Sequence, residues 1–337
     1  MKPSSFSYHA PASAKEAVEL LAELGDGAKV IAGGQSLIPM LALRLAAFEH
    51  LIDIRDVPGV RGISGRDGSV SGEAVWIGAG TTQAAIGRSA LVAAKIPLLA
   101  RATPLIGHFQ IRNRGTIGGS LAHAEAAAEY PAVALTLDAV IETVSPRGQR
   151  AIPANGFFTG IWSTALEPDE LLTGVAFTVP DGRAGYAIEE FARRPGDFAV
   201  AGAAIAIELD SAAAAGDGDG AGPDARISRC GIGLFGLGPT PLRASAAEAA
   251  VTGSLAADVR TDAVAREIGQ AAMAELESVP SDLHGPAAYR KRVGAALVAT
   301  AWRRAINEAI NEAINEAINE ASSEASSEAL GEEAVND

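Results

Sequence analysis

The sequence predicts an α+β chain folded as two domains, and three observations point there. At 337 residues the chain is long enough for two separate cores. Its first half twice sets an apolar lead-in, two adjacent glycines, a small hydroxyl residue and a helix-like run in succession, at Ile31-Ala-Gly-Gly-Gln-Ser-Leu37 and Thr116-Ile-Gly-Gly-Ser120. After about Pro180 the pattern changes to two long strands followed by Ala-rich helices.

The elements follow in order. Residues 15–24 have helical periodicity and stop at Gly25. Ala28 to Ala32 reads as a short strand entering the first glycine pair. Leu37 to Leu45 reads as a helix with Pro39 in its first turn, and Leu51-Ile-Asp-Ile54 as the next strand. The glycine spacing of this unit is not the dinucleotide fingerprint Gly-x-Gly-x-x-Gly. Val75 to Thr82 gives a strand and turn in which Thr81 or Thr82 is a candidate N-cap. Residues 89–101 read as a helix broken by Pro97, Glu129 to Asp138 as a helix, and Ala139 to Val144, Leu171 to Val179 and Ile188 to Phe191 as strands. Phe198 to Leu209 and Ile227 to Leu237 are the two long strands, joined by Asp210 to Asp224, an Ala/Gly/Asp-rich segment read as a flexible hairpin loop. Residues 243–253 and 259–277 and Tyr289 to Ala305 are the closing helices.

The totals exclude several classes. No apolar run approaches the about 18 residues of a membrane-spanning helix, and Met1 to His9 has no apolar signal region, so a cytoplasmic protein is expected. The net charge is −14, but nine acids and no Lys or Arg lie in 305–337, leaving −5 on the rest of the chain. That balance argues against nucleic-acid binding. Cys230 is the single cysteine, so the chain cannot supply the about four ligands of an iron–sulfur cluster. It reads as a small buried hydrophobe on a strand. The five histidines are scattered, and no metal site is expected.

The candidate site is the pair of glycine loops. Adjacent glycines remove two Cβ atoms and admit positive φ, so backbone N–H groups can gather around an anion. Two such loops suit a ligand with two phosphates, and Arg112 and Arg114 bring positive charge beside the second. Gly231-Ile-Gly-Leu-Phe-Gly236 does match Gly-x-Gly-x-x-Gly, but it lies within a strand and runs into Pro239, so it is set aside. The tail repeats Ile-Asn-Glu-Ala four times from Ile306, then Ser-Ser-Glu-Ala twice. It reads as an acidic tail, frayed or extending the last helix, without chemistry of its own.

Over residues 1–300 the chain resembles the FAD-binding medium subunit of the molybdenum hydroxylases, the xanthine dehydrogenase and aerobic carbon monoxide dehydrogenase family. The resemblance rests on Met1-Lys-Pro with Phe6 and Tyr8, Ala32-Gly-Gly-Gln-Ser-Leu-Ile-Pro39, Leu51-Ile-Asp-Ile54 and Ile77-Gly-Ala-Gly-Thr-Thr82. Further landmarks are Ile111 through Ala124, Glu190-Phe-Ala-Arg-Arg-Pro-Gly-Asp-Phe-Ala199 and Gly238-Pro-Thr-Pro-Leu-Arg-Ala244. It implies residues 1–178 as a two-subdomain FAD-binding domain of the PCMH/vanillyl-alcohol-oxidase type. Residues 179–304 would be a carbon monoxide dehydrogenase flavoprotein C-terminal-like domain with an antiparallel sheet, and 305–337 the tail.

The same resemblance implies non-covalent FAD. Its pyrophosphate would lie along Ala32, Gly33, Gly34, Gln35, Ser36 and Leu37 and along Thr116, Ile117, Gly118, Gly119 and Ser120. His123, Glu125 and Glu129 would add to the second side, and Leu172 would lie against the ring system. The N–H groups of Ile117 and Gly118 are candidates to stabilise negative charge on the reduced ring. No side chain is expected to act as a catalytic residue. A large subunit with molybdopterin and a small subunit with two [2Fe–2S] clusters would be the partners, as a dimer of heterotrimers. This chain would pass electrons from the clusters through FAD to an external acceptor. The alternatives are a self-contained FAD oxidoreductase of the same superfold and a non-redox assembly subunit. Glu125-Ala126 departs from the family's Asp-Pro, Leu41-Ala-Leu-Arg44 from its Met-Asn-x-Arg, and Glu189 from the Lys of xanthine dehydrogenases, so NAD is not inferred as the acceptor.

Overall fold

A computed structural model of the chain describes residues 2–67, 72–210 and 225–333, with side chains up to residue 311. Most of the Asp210–Asp224 loop expected from the sequence lies outside the described residues.

The chain begins with β1 (Ser7–His9), α1 (Ala14–Leu24), β2 (Ala28–Ile31), α2 (Leu37–Ala42) and β3 (His50–Asp53). β3 lies between β1 and β2, parallel to both. α1 starts where Ser13 Oγ accepts from Glu16 N, while the Glu16 carboxylate accepts from Ala12 N. It stops at Gly25, whose φ of +55° ends the helix. Its buried face, Ala17, Val18 and Leu21, packs on Ile52 and Ile54.

A second sheet follows. Its elements are β4 (Ile63–Asp67), β5 (Glu73–Gly78), α3 (Gln83–Gly87), α4 (Ala90–Lys95), α5 (Pro97–Ala102), α6 (Phe109–Arg112), α7 (Ile117–His123), α8 (Glu129–Thr136), β6 (Val140–Ser145), β7 (Gly148–Pro153), the hairpin β8 (Phe158–Gly160) and β9 (Ser163–Thr164), and β10 (Leu171–Thr178). The strand order is β4-β5-β10-β6-β7, all antiparallel. Thr82 caps α3 by accepting from Ala85 N, and Pro97 divides α4 from α5 by standing in the first turn of the second. The edge strands β4 and β7 were not visible in the sequence. Both are mostly exposed, so neither carries the alternation that marks a half-buried strand.

The third sheet is β11 (Ala184–Phe191), β12 (Ala201–Leu209), β13 (Ile227–Phe235) and β14 (Leu242–Arg243), antiparallel and paired in chain order. It is covered by α9 (Ser245–Val251), α10 (Ala256–Val259), α11 (Asp262–Ala274) and α12 (Ala287–Glu333). On β12 the period of two divides the residues between two cores: Ala203, Ile205 and Ile207 face the C-terminal helices, while Ala204 and Ala206 join the core of the second sheet.

Between those cores lies α8, buried at every position. A helix buried on all sides needs small neighbours to approach closely, and the glycines set aside above provide them. A Cβ on Gly231 would stand 2.2 Å from the Thr136 carbonyl, and one on Gly233 would stand 2.7 Å from the Ala132 carbonyl. The Gly-x-Gly of β13 is therefore a seat for α8. Cys230, on the other face, is buried, and burial pushes its thiol up to about 12.

The last helix continues through the repeat. Ile306 and Ile310 are buried in the C-terminal core, and Arg101 of α5 grips Glu308 with two bonds of 2.6 and 2.7 Å. No helix among the described residues is long and apolar enough to cross a membrane.

Candidate functional site

β2 delivers the chain into the first glycine loop. Gly33 is required there by tertiary approach, because a Cβ would lie 2.2 Å from the carbonyl oxygen of Arg114 and 2.8 Å from Cα of Gly115. Gly34 has a φ of +72°, which turns the chain back toward α2. Gln35 closes the loop by donating from Nε2 to the Gly33 carbonyl at 3.0 Å. Among the described residues, the backbone N–H groups of Gly33, Gly34, Gln35, Ser36 and Leu37 find no protein acceptor, although Ile38 N and Met40 N resume helical bonding. These residues are half-buried. Five consecutive open amides around a positive-φ glycine form an anion-binding concavity.

The second glycine loop is built differently, which corrects one expectation. Ile117 N donates to the Thr81 carbonyl at 3.1 Å, Gly118 N to the Ala79 carbonyl at 2.9 Å, and Gly119 N to Thr116 Oγ1 at 3.0 Å. The Ile117 and Gly118 amides are thus committed to the β5–α3 turn and are not free to stabilise charge on a bound ring. Gly118 is glycine because a Cβ would lie 2.4 Å from that of Ala79. Gly119 faces the first loop, where a Cβ would stand 3.8 Å from Ala32 Cβ. Thr116 caps α7, and Ser120 lies one turn into it. The two loops are therefore adjacent, but the open amides belong to the first.

Of the two arginines expected to bring charge beside the anion, Arg112 is used otherwise. Arg112 Nη1 donates to the carbonyls of Ile106 and Gly107, both at 2.8 Å, and holds the 104–108 segment in place. Arg114 contributes its carbonyl, against Gly33.

The remaining candidate residues fall into three places. His123 and Glu125 lie at the C-terminal end of α7, where Ala124 takes the left-handed conformation with φ +54°. Burial holds the His123 imidazole below its ordinary pKa, the Glu125 carboxylate opposing and nearby Lys29 adding to the effect. Glu125 Oε2 accepts from Trp162 Nε1 at 2.8 Å and its other oxygen from Ala127 N at 3.3 Å. Trp162 lies parallel to His123, within 12°. Glu129, in the first turn of α8, is buried beside Glu190 of β11, and burial drives its carboxyl up to about 8. Leu172 is buried beneath α7 in the core of the second sheet. Glu189 pairs with Arg304 of α12.

Trp162 carried no sequence signal. It stands at the tip of the β8–β9 hairpin with φ +51°, and a tryptophan in a left-handed position is not marked by the Gly or Asn that betrays such turns.

Comparison with known proteins bears on this arrangement. Residues 4–181 match the family described as FAD binding domain in molybdopterin dehydrogenase, and residues 186–305 the CO dehydrogenase flavoprotein C-terminal domain. The chain is 37% identical over 307 residues to the carbon monoxide dehydrogenase medium chain of Hydrogenophaga pseudoflava, covering 91% of this chain and 98% of that one. It is 38% identical over 308 residues to the nicotine 6-hydroxylase medium subunit of Paenarthrobacter nicotinovorans, again covering 91% and 98%. Reconstituted CO dehydrogenase from Oligotropha carboxidovorans superposes with a TM-score of 0.82 at 36% identity, covering 91% of this chain and all of the matched chain.

Proposed function

Because the chain belongs to the family of FAD-binding medium subunits of molybdenum hydroxylases, we propose that it is the flavin-carrying electron-transfer subunit of such an oxidoreductase. One observation supports this most: the five open amides of Gly33 to Leu37 form a cradle that suits the doubly charged pyrophosphate of FAD. In this reading residues 1–178 bind the cofactor, residues 179–304 complete the cleft, and 305–337 carry no chemistry.

FAD, when bound, supplies a carrier that accepts electrons singly and releases them singly or in pairs. The chain supplies the rest. Gly33 seals the cradle against the Arg114 carbonyl, and Gly34 aims the amides inward. The Thr116–Ser120 loop backs the cradle through Gly119 and holds its own amides for folding. With FAD bound, Ser120, His123, Glu125 and Glu129, on α7, just after it and at the start of α8, would be the residues that line it, and Leu172 packs in the core beneath α7. No side chain is assigned a proton transfer in the transfer of electrons to this subunit.

The partners in this reading are a molybdopterin-bearing large subunit and a small subunit with two [2Fe–2S] clusters, in a dimer of heterotrimers in the cytoplasm. The relatives' designation as medium chains and medium subunits supports a multi-subunit assembly. The single cysteine fits clusters held elsewhere.

Anaerobic reduction tests the proposal. The flavin of the isolated chain should stay oxidised with the complex's substrate and bleach only when the partner subunits are added. Bleaching by substrate with the chain alone would identify a self-contained oxidoreductase. A chain that binds no flavin under any condition would be an assembly subunit.

A further inference from the structure

The turn that leads into α12 is built around an exposed leucine. Asp282 and Gly285 exchange backbone bonds of 3.2 and 3.1 Å, which leaves Leu283 and His284 at the tip. The Asp282 carboxylate accepts from Arg290 Nη2 at 2.8 and 2.7 Å and from His284 N at 2.8 Å. Ser281 Oγ accepts from Ala287 N at 2.9 Å, and Arg193 Nη2 donates to the Leu283 carbonyl at 2.7 Å. Leu283 is nonetheless 91% exposed, more than any other large apolar side chain among the described residues. A lone leucine in water is ordinary on a surface. A leucine at the tip of a turn tied down on every side has already lost the freedom that binding would otherwise remove.

Leu283 also heads a continuous patch. Tyr289 lies beneath the turn, where a Cβ on Gly285 would stand 2.8 Å from its ring. Phe191, at the end of β11 and 38% exposed, meets Tyr289 edge to face at 6.4 Å. Arg292 stands over the same ring at 5.6 Å. On a chain of net charge −14 the rim of this patch is positive: Arg193, Arg194 and Arg292 are exposed, against Asp197 in the same loop, and Asp282 is matched by Arg290. The patch is also joined to the cofactor domain. Arg290 Nη1 donates to the carbonyls of Val200 and Gly236 at 2.6 and 2.8 Å, and Gly236 N donates to the Ala126 carbonyl at 2.8 Å, beside Glu125.

We propose that this patch docks a partner subunit, which receives Leu283 in an apolar pocket rimmed by carboxylates that face Arg193, Arg194 and Arg292. The inference rests on the multi-subunit reading given above and adds the surface and its chemistry. Two other occupants fit less well. The chain's own acidic repeat leaves from the far end of α12, since that helix begins beside the patch and by Ala305 and Ala309 has reached Gly185, at the opposite end of β11 from Phe191. A second copy meeting the patch with the same patch would set arginine against arginine.

The full-length chain, carrying FAD, is immobilised and titrated with the separately produced molybdopterin-bearing and [2Fe–2S] subunits. L283D should weaken binding at least about tenfold and L283M less than about threefold. The melting temperature and FAD per chain should not change, because the side chain faces solvent. R194E/R292E should slow association about tenfold in about 50 mM salt and lose that effect by about 0.5 M. Wild type that binds neither subunit would overturn the assembly reading, and this one with it. Wild type, L283D and R194E/R292E that all bind alike would overturn this inference alone. Loss of chain–chain association in L283D, with subunit binding intact, would also overturn it and give the patch to a second copy.

Discussion

A methyl group on Gly33 would stand 2.2 Å from the carbonyl oxygen of Arg114, so the two glycine loops meet backbone to backbone. Neither partner is a flexible side-chain end that could swing aside. The contact fixes the cradle's mouth against the segment that leads into α7.

Gly33→Ala should therefore force the loops apart, cost about 1–3 kcal/mol and abolish flavin retention together. Gly34→Ala meets side-chain atoms alone, Ile38 Cγ1 at 3.1 Å and Ile31 Cδ1 at 3.4 Å, but must hold φ +72°. It should cost about 1 kcal/mol and weaken FAD binding more than it weakens the fold. Thermal unfolding and FAD content of both purified variants give the comparison.

Glu125 holds Trp162 at the hairpin tip, where the residue's side is 58% exposed. Glu125→Ala should release the indole: its emission shifts to the red and acrylamide quenches it more readily. The stability change should stay under about 1 kcal/mol because the pair faces solvent. An unchanged Trp162 signal, isolated with Trp76→Phe and Trp302→Phe backgrounds, would show that Glu125 does not position it.

Much of the fold was legible because local chemistry marked it: Thr82 as a cap, Gly25 as a stop, Pro97 as a break. The exposed edge strands β4 and β7 lacked any periodic signal. At the site, the first glycine pair was readable as an anion loop, since positive φ at Gly34 is a local property. The second pair looked alike in sequence. Its difference lies in the carbonyls of Ala79 and Thr81, which arrive from a turn some thirty-five residues earlier and occupy its amides. Trp162 was missed for the same reason: what makes it notable is its tertiary neighbour Glu125.

Glu129 sets a pH dependence. Its folded pKa of about 8 lies above its ordinary value of 4.5, so the unfolded chain loses the proton first as pH rises. Stability should be free of this effect below about 4.5, fall between 4.5 and about 8, and then level off, by on the order of 5 kcal/mol. Glu190, raised to about 7 by burial, acts in the same direction but less, being half-buried. Urea unfolding of the flavin-free chain at pH 5 and pH 9 should show the fall, and Glu129→Gln should flatten it.

The start of the repeat belongs to the core. Removing 306–337 takes away buried Ile306 and Ile310 and the Arg101–Glu308 pair, and should cost about 3–6 kcal/mol. Removing only 312–337 should leave the melting temperature unchanged. Equal losses from both truncations would mean that the later repeats also stabilise the domain.

The central claim is that Gly33 to Leu37 bind a pyrophosphate, and a titration of the flavin-free chain addresses it directly. FAD should bind at least about 100-fold more tightly than riboflavin, the effect of two or more charge-assisted amide bonds, and ADP should displace FAD where adenosine does not. Equal affinity for FAD and riboflavin, with ADP leaving FAD in place, would contradict the account.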